Sequence, residues 1–104
     1  MEEQIFNIIV HGGNARGFAY EALEACRKGE YEKVDELLKQ SKDEMVLAHN
    51  TQTELVQKDV RGESVEISLL MIHAQDQLMT TMSEQTLIEQ MIIMQKEINE
   101  LREK

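Results

Sequence analysis

Within Met71-Ile72-His73-Ala74-Gln75-Asp76-Gln77-Leu78-Met79-Thr80-Thr81, an imidazole and a carboxylate stand three residues apart in an otherwise greasy segment. An imidazole with an ordinary pKa of about 6.5 keeps a nitrogen lone pair free near neutral pH. It can therefore take a proton, bind a metal or accept a phosphoryl group. A carboxylate on an apolar face costs several kcal/mol, in order of magnitude, to desolvate unless it is paired, protonated or metal-bound.

Helical geometry separates the two residues. At about 100° per residue, Ile67, Met71, Ala74 and Leu78 gather on one side of the segment, and Leu69, Ile72, Met79, Ser83 and Met94 lie roughly opposite. His73 belongs to neither side. It shares a polar stripe with Glu66, Gln77, Thr80 and Glu84, as helical neighbours do. Asp76 falls among the second apolar set. Both residues also have a plain reading: His73 as a surface or satisfied core histidine, Asp76 as a polar residue that fixes the register of an oligomer seam.

The remaining candidates are weaker. His11-Gly12-Gly13-Asn14-Ala15-Arg16-Gly17 has the glycines of a phosphate loop but no Lys-Ser/Thr ending and no preceding strand. Its small residues suit close helix approach instead. His11 and His49 have no zinc-ligand spacing relative to His73. His49 reads as a packed or edge histidine, and Gln52, one turn further, as a support to the site from the second helix. The single cysteine, Cys26, cannot form an intramolecular disulfide and reads as a small core residue. The methionines read as gap-filling core.

These side chains need a scaffold, and composition points to helices. The 104 residues include no proline and only four aromatics (two Tyr, two Phe), and strong helix formers dominate. A net charge of −9 disfavours nucleic acid and anionic membrane surfaces. No signal peptide or membrane span is legible, so a cytoplasmic protein without direct membrane insertion is expected.

One domain, 1–104, is expected, with helices at about 2–28, 31–60 and 64–103. The first carries Ile5, Ile8, Ile9, Gly12, Ala15, Ala19, Ala22, Leu23 and Cys26 at helical period and stops at Arg27-Lys28-Gly29. The second carries Val34, Leu38, Ser41, Met45, Ala48, Gln52 and Leu55 and closes at Arg61-Gly62. The third starts near Ser64, with Ser64-Val65-Glu66-Ile67 as its cap, and its tail repeats Leu87, Met91, Met94, Ile98 and Leu101 at coiled-coil spacing. Short connections give an all-α, antiparallel up-down-up three-helix bundle. A third helix with two apolar sides needs two partners, so a homo-oligomer is expected.

The run Leu69-Leu70-Met71-Ile72-His73-Ala74-Gln75-Asp76-Gln77-Leu78-Met79-Thr80-Thr81 resembles the phosphorylation-site helix of the lactose/cellobiose-type IIA proteins of the bacterial phosphoenolpyruvate-dependent sugar phosphotransferase system. GNARGFAYEALEACRKGEYEKVDELL is similar to that family's first hairpin and LAHNTQT to its second-helix motif, and the resemblance covers the whole chain. It implies a homotrimer with a nine-helix core. It implies that His73 accepts a phosphoryl group from HPr on Nε2, as a tele-phosphohistidine, and passes it to the IIB component for uptake of a disaccharide of the cellobiose, chitobiose or lactose type. It implies that Asp76 lies near the trimer axis, shared by three subunits, where a divalent cation such as Mg²⁺ is associated with the family. No organic cofactor is implied.

Elementary chemistry accords with these roles. Phosphoryl transfer demands positioning and charge stabilisation more than covalent activation. Gln77 and Thr80, one and two turns beyond His73, are expected to hydrogen-bond phosphate oxygens without adding charge. Three converging carboxylates cannot all ionise without a cation or shared protons, and an all-oxygen site favours a hard ion. Two positions depart from the family pattern: Gln77 stands where a second histidine is common, and Asn14 where an aspartate is. The alternative is a helical oligomerisation or regulatory module in which His73 is inert.

Overall fold

The computed structural model describes all residues from Met1 to Lys104 and contains three helices: α1 (Glu2–Arg27), α2 (Tyr31–Val60) and α3 (Leu69–Glu103). The chain is all-α, with the expected up-down-up course. Contacts between α1 and α3 climb both helices together, from Gly13 beside Gln77 to Arg16 with Thr80 and Cys26 with Ile92, so those two helices run parallel.

The stops at Gly29 and Gly62 have the predicted cause. Both residues adopt positive φ, 77° and 80°, a conformation open to glycine because it has no Cβ. At the end of α1, the Gly29 and Glu30 amides turn back onto the carbonyls of Cys26 and Ala25, satisfying groups the helix leaves orphaned.

The start of α3 differs from the sequence expectation. Ser64, Val65, Glu66 and Ile67 are not helical, and the cap is Ser68. Its extended backbone (φ −116°, ψ 166°) lets Oγ accept from the Met71 amide at 3.1 Å. Half-buried Val65 packs against the core, while Ile67, expected beside Met71, is exposed. Glu66 likewise lies off the helix and outside the polar stripe. Either serine fits a local capping pattern; the need to carry the chain from the end of α2 to the flank of α1 selects the later one.

The long molecule, 60 × 21 × 17 Å, is organised around α1. α1 packs against both neighbours, whereas α2 and α3 barely meet. The reason is the small-residue surface of α1: Ala15, Ala19, Ala22 and Ala25 are buried and let both helices come close. Two apolar clusters result, one around Ile5, Ile8, Leu55 and Leu78, the other around Cys26, Val34, Ile88 and Ile92. A polar tie crosses all three helices. The buried Ser41 hydroxyl donates to the Ala15 carbonyl at 2.6 Å and accepts from Gln85 Nε2 at 2.8 Å. That satisfaction removes the desolvation cost an unpaired hydroxyl would carry.

α3 buries Met71, Ala74, Leu78, Thr81, Ile88 and Ile92. Its other apolar set, Leu69, Ile72, Met79 and Met94, is exposed, as are the tail residues Leu87, Met91, Ile98 and Leu101.

Candidate functional site

His73 is exposed near the N-terminal end of α3, and its imidazole has no hydrogen-bond partner within the chain. Met71 and Ala74 on either side of it are buried against the α1-centred core, so the backbone that carries the imidazole is anchored. Both ring nitrogens remain free for an outside group.

Gln77 lies one turn on and is half-buried. Its amide faces α1 at the paired glycines. A methyl at Gly12 would stand 3.9 Å from Gln77 Oε1, and one at Gly13 would stand 3.6 Å from Nε2. Those are ordinary van der Waals separations, so the glycines are not forced by crowding there. Residues 11–17 lie inside the continuous α1, so they form no phosphate loop. The Oε1 atom of Gln77 is enclosed and has no hydrogen-bond partner.

Thr80 is engaged rather than free. Its hydroxyl is oriented toward the carbonyls of Asp76 and Gln77, at 3.0 and 3.1 Å, and accepts from Arg16 Nη2 at 2.8 Å. Arg16 also donates from Nε to Glu84 at 2.6 Å, and the Tyr20 hydroxyl donates to the other Glu84 oxygen at 2.9 Å. The stripe thus ends in a cation that sequence reasoning missed and that the expectation of a neutral surround leaves out. The only trace of it in the sequence is that Arg16 and Tyr20 sit one turn apart on α1, as Thr80 and Glu84 do on α3. Hydrogen bonding to the Glu84 carboxylate is the main cause that raises the Tyr20 phenol above its ordinary value. Desolvation and the Glu84 charge add to the shift, and Arg16 opposes it.

Gln52 does cross to α3, but its amide donates to the side chain of Gln75, not to His73. His11 pairs with Glu44 across α1 and α2, and His49 is exposed. Cys26 is buried, and burial pushes its thiol up.

Asp76 is exposed between Ile72 and Met79, themselves exposed, and its carboxylate has no ion-pair partner. Nowhere in the chain do three or more His, Cys, Asp or Glu side chains cluster to hold a metal ion. A hard divalent ion takes about six oxygens, so the one carboxylate of Asp76 makes a cation site only where further copies bring theirs.

Comparison with known proteins supplies the setting for this arrangement. A family model described as "PTS system, Lactose/Cellobiose specific IIA subunit" matches residues 3–96. This chain belongs to that family. It is 42% identical over 102 residues to the lichenan-specific phosphotransferase enzyme IIA component of Bacillus subtilis, covering 98% of this chain and 93% of that one. The crystal structure of the cellobiose-specific enzyme IIA from Bacillus anthracis superposes with a TM-score of 0.91 at 41% identity, over 94% of this chain and 90% of that one. The IIA(chitobiose) complex with HPr from Escherichia coli matches at 0.81 and 32% identity, over 94% and 95%. As a IIA subunit, the chain is a phosphotransferase component of the sugar phosphotransferase system. No helix of this IIA chain is long and apolar enough to cross a membrane.

Proposed function

We propose that this IIA subunit works in the cytoplasm as a phosphohistidine carrier. It takes a phosphoryl group from HPr on Nε2 of His73 and delivers it to a IIB component for uptake of a disaccharide. The observation that carries this reading is the exposed, unpartnered imidazole on an anchored helix in a chain of the IIA family. The E. coli relative solved in complex with HPr supports HPr as donor. The lichenan, lactose and N,N'-diacetylchitobiose specificities of relatives support a β-linked oligosaccharide or disaccharide as the cargo of the pathway. The polar stripe is the landing surface beside His73; Gln77 and Thr80 flank it, and Gln52 steadies α3 through Gln75.

The subunit assembles as a homotrimer through the uncovered apolar side of α3, with Asp76 of each copy turned toward the threefold axis. A Mg²⁺ or similar ion held by those carboxylates would offset their mutual repulsion. Its role is structural.

Incubation with phosphoenolpyruvate, the first enzyme of the system and HPr tests the carrier role. Acid-labile, alkali-stable label is expected on the wild type and absent from His73→Ala. Undiminished label in that variant would end the assignment.

A further inference from the structure

α1 carries an exposed apolar face that nothing in the chain covers. Phe6 and Val10 are 52% and 54% exposed, and Gly13 and Gly17 continue their line at helical spacing. Arg16 meets Thr80 and Tyr20 meets Glu84, each pair 64 positions apart on two parallel helices. The same offset sets Phe6 level with Leu70 and Val10 level with Ala74, so the two bracket His73 along the axis. Gly17 has no use inside the chain. Its φ is not positive, and an added Cβ would meet nothing within 4 Å. Glycine inside a helix is nonetheless less stable than alanine.

The surroundings are short of cations. From Glu2 to Cys26 and from Leu69 to Gln95, Arg16 is the only Lys or Arg, and Glu84 holds it. Glu2, Glu3, Glu21 and Asp76 are exposed on the same two helices. Such a surface repels a free phosphate ester. It attracts a protein that surrounds its own phosphoryl group with cations.

We infer that this face of α1, formed by Phe6, Val10, Gly13 and Gly17, is the docking surface for HPr, the donor in the carrier reading on which the inference rests. A protein that hands a phosphoryl group to His73 must cover the ground around the imidazole, about 800 Å² on each partner. Two apolar surfaces border that ground. The strip of α3 with Ile72 and Met79 lies on the Asp76 side and is taken by the copies in the proposed trimer. The α1 face lies across Gln77, beside which Gly13 stands. Phe6 supplies the aromatic anchor on which protein interfaces depend. Gly17 lets a side chain of the donor come down to the α1 backbone.

Steady-state phosphorylation with phospho-HPr varied reads the docking. Phe6→Ala should raise KM about tenfold, with most of the loss in KM rather than kcat, as for a contact made equally before and during transfer. Gly17→Gln should raise KM similarly while moving the urea midpoint upward, because glutamine is the better helix former. Tighter folding with weaker docking separates a lost contact from a damaged fold. Unchanged KM in both variants overturns the inference. So does a Gly17→Gln that alters sedimentation but not KM, which gives the face to a second copy. The carrier reading is tested apart, in ¹⁵N-labelled His73→Ala titrated with unphosphorylated HPr. The amides of Gly13 and Gly17 should still shift there, and amides that HPr leaves unmoved overturn the docking. A wild type that takes no label while those amides shift strikes the carrier reading alone.

Discussion

Arg16, Tyr20, Thr80 and Glu84 form one hydrogen-bonded group at the end of the stripe that begins at His73. Its electrostatics can be read through Tyr20. The phenol holds its proton more tightly in the fold than in the unfolded chain, chiefly because it donates to Glu84. The contribution is therefore complete below the ordinary phenol value of 10.0 and is lost as pH rises above that value through the raised folded one. Glu84→Gln should lower the Tyr20 titration, read by phenolate absorbance, and flatten the loss of stability above pH 10.0; an unmoved titration would contradict the assigned cause. This group was hidden in the sequence because its halves lie 64 residues apart. Periodicity gives His73 and Asp76 their directions because one helix carries both, whereas their chemical roles come only from the resemblance of the surrounding run to the IIA family. For Thr80 the wheel shows the direction but not the guanidinium that arrives from α1.

Among the elements, the helix ends show which local signals suffice. Gly29 and Gly62 announce their stops because a positive φ is strained for any residue with a Cβ. The α3 start is decided between two serines four residues apart, and both precede apolar periodicity. Only tertiary packing separates them: Val65 goes to the core, the segment stays non-helical, and Ser68 makes the cap bond. Ser68→Ala should therefore cost about 1 kcal/mol in urea unfolding, the usual worth of an N-cap, and Ser64→Ala close to nothing. Equal effects would return the cap to the earlier serine. The difference bears on the site, because the Ser68 cap closes the turn that leads into His73. A frayed start would loosen the backbone that carries the imidazole. The middle of α1 follows a similar logic at larger range. Its run of alanines was readable as a buried face, but not that this face would serve two helices at once while α2 and α3 stay nearly apart.

That arrangement leaves the whole molecule with an uncovered side. Ile72, Met79, Leu87, Met91, Met94, Ile98 and Leu101 form an apolar strip along α3, exposed by 46% to 69% each. A contiguous apolar strip on a small chain is a surface made to be covered, and in a chain of charge −9 burying it in identical copies must overcome mutual repulsion. Two forces thus meet at Asp76. Burial of Ile72 and Met79 favours association, at roughly 25 cal/mol per Å² of apolar surface, while each Asp76 brings a charge that must be neutralised or desolvated. The balance predicts opposite signs for neighbouring substitutions. In sedimentation equilibrium, Ile72→Glu should shift the proposed trimer toward monomer. Asp76→Leu should leave the trimer intact or tighten it, and should remove any sensitivity to chelator that the wild type has. A wild type that sediments as monomer at all concentrations would mean the strip of α3 is covered by another protein, not by copies of this chain. A trimer that Asp76→Leu dissociates would instead make the carboxylates, through a shared cation, the tie that holds three subunits together.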